Sequence, residues 1–94
     1  MKKYYPIKTK YGLFQVLIWQ NKTDKLYLVE VPSFDRAMTQ GSTLTEAKRM
    51  ATDLINLLAE GAIKDEGKVV IDDTRRVYGR GKLANKTGPV SIVA

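Results

Sequence analysis

The fold is decided by two stretches of sequence, YLVEVP at residues 27–32 and TQGSTLTEA at residues 39–47. The first is a short apolar strand that ends at Pro32, because proline has no N–H with which to continue a ladder. The second joins a short return strand, ended by Gly41, to the start of a helix. Thr43 and Glu46 have the spacing of a capping box, in which the two side chains accept hydrogen bonds from backbone N–H groups at the helix start. We therefore expect strand, loop, strand and helix in this order.

The residues on both sides of these stretches predict further elements. Apolar residues recur at three- and four-residue intervals after the cap, which predicts an amphipathic helix that ends at Gly61. Residues 13–20 are apolar on both faces and predict a central strand, joined by the polar turn 21–25 to the strand 26–31. Residues 4–10 predict an edge strand, and residues 68–72 predict one more strand of the main sheet.

Together these elements predict an α+β fold, a mainly antiparallel sheet of three to five strands with one helix packed on it, in the order β-β-β-α-β. The domain is expected to span residues 1–73. Residues 74–94 form a basic C-terminal tail in which glycine and proline favour irregular structure, with room for a short terminal strand at residues 89–93.

Composition narrows the chemistry that the 94-residue chain offers. It contains no Cys and no His, which removes disulfides, thiolate metal ligands and the commonest general base. We predict no catalytic residue, no metal ligand and no cofactor, and hence a protein that is not an enzyme. No apolar run is long enough for a signal sequence or a membrane span, so we expect a cytoplasmic protein without a membrane partner.

The net charge of +6 is concentrated near the two ends of the sequence. Basic ends favour an acidic partner such as nucleic acid. The residues expected to contact nucleic acid or an acidic partner are Arg75, Arg76, Tyr78, Arg80 and Lys82. A basic tail without any partner, or lysines that only keep a small domain soluble, explains the same residues equally well.

The two opening stretches, taken together, resemble the HicB-like antitoxin family. The resemblance covers residues 13–72 and is carried by residues at the family spacing: Val31, Pro32, Thr39, Gln40, Gly41, Thr43, Glu46 and Ala47. It implies a partial RNase H fold. It also implies a non-catalytic protein that binds a small toxin ribonuclease of the HicA kind and covers its catalytic face.

On this interpretation the loop after Pro32 and the acidic strand ends form the contact surface. The partner-binding candidates are Glu30, Ser33, Phe34, Asp35, Arg36, Asp72 and Asp73. The resemblance also implies a homodimer or higher homo-oligomer, formed through an exposed strand edge. We expect Asp72 and Asp73 to be a solvated strand end, because adjacent strand residues point to opposite faces and do not share a metal ion.

Two other functions are compatible with the residues. One is a basic nucleic-acid-binding or host-interaction protein of a mobile element on the same scaffold, which would use its basic ends. The other is a residual nuclease, which needs converging carboxylates to hold metal ions. The strand at residues 13–20 contains no Asp or Glu, so the binding interpretation is preferred.

Overall fold

A four-stranded antiparallel sheet is the centre of the fold in the computed structural model, which describes residues 2–79. The strands lie in the same order in space as in the chain. They are β1 (Lys3–Thr9), β2 (Gly12–Gln20), β3 (Tyr27–Val31) and β4 (Ala37–Gly41). A 3-10 turn, Pro32–Phe34, connects β3 to β4.

A single long helix, α1 (Leu44–Glu66), follows the sheet and lies on one of its faces. After it, β5 (Val70–Ile71) and β6 (Val77–Tyr78) pair antiparallel in a separate small sheet. The predicted α+β class, with one helix packed on an antiparallel sheet, is confirmed.

The core lies between α1 and the face of the sheet that it covers. The sheet contributes alternate residues of its strands, and α1 contributes mostly alanine at four-residue spacing. The buried side chains of this core are Ile7, Phe14, Val16, Ile18, Val29, Val31, Ala47, Ala51, Ile55, Ala59, Ala62 and Val70. Because alanine is small, the helix axis lies close to the sheet. The larger helix residues Met50, Leu54 and Leu58, also predicted to face the core, are only partly buried.

The start of α1 is the predicted capping box, with one difference. The Thr43 hydroxyl accepts a hydrogen bond from Glu46 N–H at 3.0 Å. The Glu46 carboxylate, in return, accepts from the N–H of Ser42, one residue before the cap. This hydrogen bond is the main reason that the pKa of Glu46 lies below its ordinary value.

We expect Thr43→Ala to lower the free energy of unfolding by about 1 kcal/mol, because one N–H of the first turn loses its acceptor. Chemical denaturation followed by circular dichroism measures the loss. Thr45→Ala, two residues further on, is the matched control, since no hydrogen bond of the Thr45 side chain is present among the described residues. Equal stability of the two variants would contradict the cap.

The predicted end of α1 at Gly61 is wrong. The helix continues to Glu66 and ends at Gly67, whose φ of 65° is left-handed and whose N–H donates to the Ala62 carbonyl. A single glycine inside a helix costs only about 1 kcal/mol. The favourable contacts of Ala62 and Ile63 with the core offset that cost.

The prediction for the last strand is also wrong in part. Residues 70–71 do not join the main sheet; they pair with Val77–Tyr78, which lies in the segment predicted to be irregular. The position beside β2 is instead occupied by the residues that follow β5, as described below. The predicted contacts Arg80 and Lys82 and the predicted strand at 89–93 lie outside the described residues. Among residues 2–79, no helix is both long and apolar enough to cross a membrane.

Candidate functional site

Two neighbouring carboxylates accept hydrogen bonds from the half of β2 that has no neighbouring strand on one side. The ladder between β2 and β3 begins only at Leu17 and Glu30, so the first residues of β2 have no strand on that side. Leu13 N–H donates to the Asp72 carboxylate at 2.8 Å, and Gln15 N–H donates to the Asp73 carboxylate at 2.7 Å. The Asp73 N–H donates to the Leu13 carbonyl at 2.9 Å. Side chains thus satisfy backbone donors that would otherwise be left unpaired.

Asp72 also holds together the turn that follows it. Its second carboxylate oxygen accepts from Thr74 N–H at 2.9 Å, from the Thr74 hydroxyl at 2.7 Å and from Arg76 N–H at 2.9 Å. Only 5% of the residue is exposed. Burial by itself raises the pKa of this carboxyl, but the hydrogen bonds from Leu13, Thr74 and Arg76 outweigh it and hold the pKa below its ordinary value.

The prediction of a solvated strand end is therefore wrong for Asp72. Its charge is directed at backbone donors and does not face solvent. Asp73 is exposed, but one of its oxygens accepts from Gln15 and the other lies 3.4 Å from the Ser33 hydroxyl. Sequence periodicity cannot reveal the contact with β2, because Leu13 and Gln15 lie about 60 residues away in the chain.

The predicted partner loop, residues 33–36, divides into an inward and an outward half. Phe34 packs on the core, with its ring centroid 5.3 Å from that of Phe14. Asp35 and Arg36 are exposed, and both have left-handed backbones with φ of 58° and 60°. The Arg36 guanidinium lies 3.9 Å from the Glu30 carboxylate, whose side chain is 18% exposed. The structure thus brings Glu30 and Arg36 together, leaves Asp35 exposed, and packs Phe34 on the core.

The face of the sheet opposite α1, here called the open face, carries large apolar side chains. In the described part of the chain no second α-helix lies on it. Alternation along the strands places the following residues there: Tyr4, Leu17, Trp19, Leu28, Glu30 and Met38. Tyr4 and Met38, on the two edge strands, are 62% and 54% exposed. Contiguous apolar surface of this kind marks interaction sites in soluble proteins.

Met38 is a candidate residue that the sequence reasoning missed. It pairs across the ladder with Glu30 and so adjoins the exposed half of the partner loop. The alternation along the strand predicts this position: in residues 37–41, Met38 and Gln40 point to the face opposite α1. The strand was predicted correctly, but no outward face was assigned to it.

A basic groove lies at the end of the open face, where the β1–β2 turn meets the turn after β5. It is a cavity of about 700 Å³, lined by Lys8, Thr9, Gly12, Leu13, Asp72, Thr74, Arg76 and Tyr78. Two of the residues predicted to contact nucleic acid, Arg76 and Tyr78, are among them. The Tyr78 ring is also held edge-on against Tyr11 at 6.3 Å. The third described candidate, Arg75, is exposed with a φ of 73°.

Residues 2–79 contain no group of three or more acidic side chains arranged to hold a metal ion. In comparisons with protein-family models, with curated proteins and with solved structures, nothing matches the chain.

Proposed function

We propose that the chain is a non-catalytic binding protein that acts as a HicB-type antitoxin and neutralises a small toxin ribonuclease by protein–protein contact. The proposal rests on the resemblance of residues 13–72. Both motif stretches belong to one structural unit, since they form β3, β4 and the start of α1. The surface beside them, which we call the contact patch, consists of Glu30, Asp35, Arg36 and Met38.

The observation that carries the proposal is the backbone of Asp35 and Arg36. Two consecutive residues other than glycine have positive φ, a conformation that costs on the order of 1 kcal/mol or more per residue. Strained positions of this kind cluster at binding sites. Here they hold two oppositely charged side chains at the surface beside Met38, which is 54% exposed.

The chemistry of the contact patch favours apolar contact with a polar rim. The chain has a net charge of +6, so a basic ribonuclease gains nothing from long-range attraction. Glu30 and Asp35 supply local negative charge, and Met38 supplies an adaptable apolar side chain. We therefore expect an affinity for the toxin that changes little with salt.

The proposal includes a homo-oligomer formed through a strand edge. The outer strands of the main sheet are β1 and β4. Pro6 interrupts the donors of β1, and exposed lysines flank it on both sides, which deters pairing. β4 has no proline and no charged residue, so it is the edge that we assign to self-association.

Purification of the tagged chain from its native host, with half of the sample treated with nuclease, tests the function. We expect a stoichiometric small basic protein that survives nuclease, and whose cleavage of RNA the purified chain blocks. Recovery of nucleic acid alone, or of a partner that does not cleave RNA, would contradict an antitoxin.

Met38→Glu tests the contact patch. We expect it to weaken binding of the captured toxin at least about tenfold, because a charge replaces an apolar contact. Leu57→Glu is the matched control, since Leu57 is a similarly exposed apolar residue, 69% exposed on α1. Isothermal titration calorimetry measures both affinities. Equal losses of affinity in the two variants would show that the contact patch does not bind the toxin.

A further inference from the structure

The cations beside β1 have no carboxylate partner among the described residues. The five ion pairs within residues 2–79 use Arg36, Arg49, Lys64 and Lys68. None of them involves Lys2, Lys8 or Arg76. Lys2 instead lies over the indole of Trp19, with its ammonium 4.2 Å from the ring centroid. Lys8 and Arg76 line the basic groove.

These cations and two aromatic rings share one surface. Tyr4 pairs across the ladder with Leu17, and Lys8 pairs with Leu13, so the side chains of Tyr4 and Lys8 are both on the open face. With a rise of about 3.3 Å per strand residue, the distance from position 2 to position 8 is roughly 20 Å. The surface runs from Lys2 over Trp19, past Tyr4, to Lys8 and Arg76 in the basic groove. We call these five residues the β1 strip.

We propose that the β1 strip binds single-stranded nucleic acid, with unpaired bases stacked on Tyr4 and Trp19 and backbone phosphates at Lys2, Lys8 and Arg76, so that Lys2 moves from the Trp19 ring to a phosphate. Aromatic rings on a sheet face stack bases without regard to sequence, and neighbouring cations hold the backbone. This activity is additional to toxin binding and uses none of the residues of the contact patch.

The negative charge in the basic groove does not oppose this arrangement. Both oxygens of Asp72 accept hydrogen bonds from the protein, four in all. Two hydrogen bonds join Asp72 to the backbone of Arg76: the Asp72 N–H donates to the Arg76 carbonyl at 3.0 Å, and the Arg76 N–H donates to the Asp72 carboxylate. Asp72 thus fixes the backbone from which the Arg76 guanidinium extends. Duplex nucleic acid fits less well, because its bases are not available for stacking.

Fluorescence provides a direct test, because Trp19 is the single tryptophan of the chain. We expect titration with a short oligothymidylate at low salt to quench the emission of Trp19. With three cations engaged, log K should fall with log salt concentration with a slope of about −2. The same oligonucleotide, annealed to its complementary strand as a duplex, should bind at least about tenfold more weakly.

Two double variants with the same loss of charge distinguish binding at the β1 strip from general electrostatic attraction of the chain for nucleic acid. Lys8→Ala with Arg76→Ala should weaken binding at least about tenfold. It should also reduce the magnitude of the slope of log K against log salt concentration by about 1.4. Lys22→Ala with Arg49→Ala removes the same charge from the β2–β3 turn and from α1 and should change affinity by less than about threefold. Circular dichroism checks that all variants are folded.

Three results would overturn the proposal. They are an absence of Trp19 quenching, equal weakening by the two double variants, and equally tight binding of a polyglutamate peptide. The last result would make the β1 strip a site for acidic peptides instead.

Discussion

Asp72→Ala is expected to lower the free energy of unfolding by about 3 kcal/mol or more, the largest effect of any single polar substitution in the described chain. The substitution leaves the N–H groups of Leu13, Thr74 and Arg76 without an acceptor. An orphaned donor costs about 1–3 kcal/mol where it is buried. The turn after β5 also loses the group that closes it, so we expect the small sheet to separate from β2.

Urea denaturation followed by Trp19 emission measures this loss, because Trp19 lies on β2. Asp53→Ala is the control: its carboxylate is 61% exposed and pairs only with Arg49 on the surface of α1, so we expect a change of less than about 0.5 kcal/mol. Asp72→Asn keeps the shape but turns an amide donor toward backbone donors, and should recover only part of the stability. Similar unfolding of the Asp72 and Asp53 variants would contradict this account.

The same hydrogen bonds make stability depend on pH. The folded state lowers the pKa of Asp72 below the value of about 3.9 that it has in an unfolded chain. The stabilisation is therefore fully present above pH 3.9 or so and is lost as the pH falls through the folded pKa. In Asp72→Asn the decline of stability below about pH 4 should be shallower than in the original chain.

Gly41→Ala is expected to lower the free energy of unfolding by about 2–3 kcal/mol. A Cβ at this position would lie 2.5 Å from the backbone nitrogen of Ala47 and 2.8 Å from its Cα. These are backbone atoms of the first turn of α1, so β4 and the helix would have to move apart. The Thr43 cap holds that turn in place and resists the movement.

Gly61→Ala is the matched control and should have the opposite sign. Gly61 lies inside α1, and the atom nearest to an added Cβ is the Asp65 carboxylate oxygen at 3.8 Å, an ordinary contact. Alanine is favoured over glycine in a helix by about 0.5–1 kcal/mol. Thermal unfolding of both variants measures the difference. A Gly41→Ala chain as stable as Gly61→Ala would show that the close approach of β4 and α1 is not required.

The local signals in the sequence were sufficient for most of the sheet and for the start of α1. Hairpin turns, the proline stop and the Thr43 cap act within a few residues, so a sequence pattern contains the full cause. The end of α1 was not predictable from Gly61, because the core contacts of Ala62 and Ile63 override a weak local preference. The requirement for glycine at position 41 is not local either, because its backbone approaches α1 too closely for a side chain.

The candidate surfaces were less predictable than the fold. Residues 13–20 are apolar on both faces, which predicts a central strand, and β2 is an inner strand of the sheet. β2 is central only in the plane of the sheet, with α1 on one face and Leu17 and Trp19 on the other. A sequence records that a side chain is apolar, but not whether another part of the same chain covers it. The contact of Asp72 with β2 is unpredictable for a related reason, since the Leu13 donor lies on a distant strand.

We expect the carboxylates of Asp72 and Asp73 also to protect the chain against aggregation, because they occupy backbone donors of β2. An apolar strand with unpaired N–H groups is a template on which another chain adds, the first step of fibril growth. The N–H groups of Leu13 and Gln15 are exposed to that risk as soon as the two carboxylates leave them. Acidic solution, which protonates Asp72, would therefore weaken its hydrogen bond to Leu13 and open this segment of β2 to pairing with other chains.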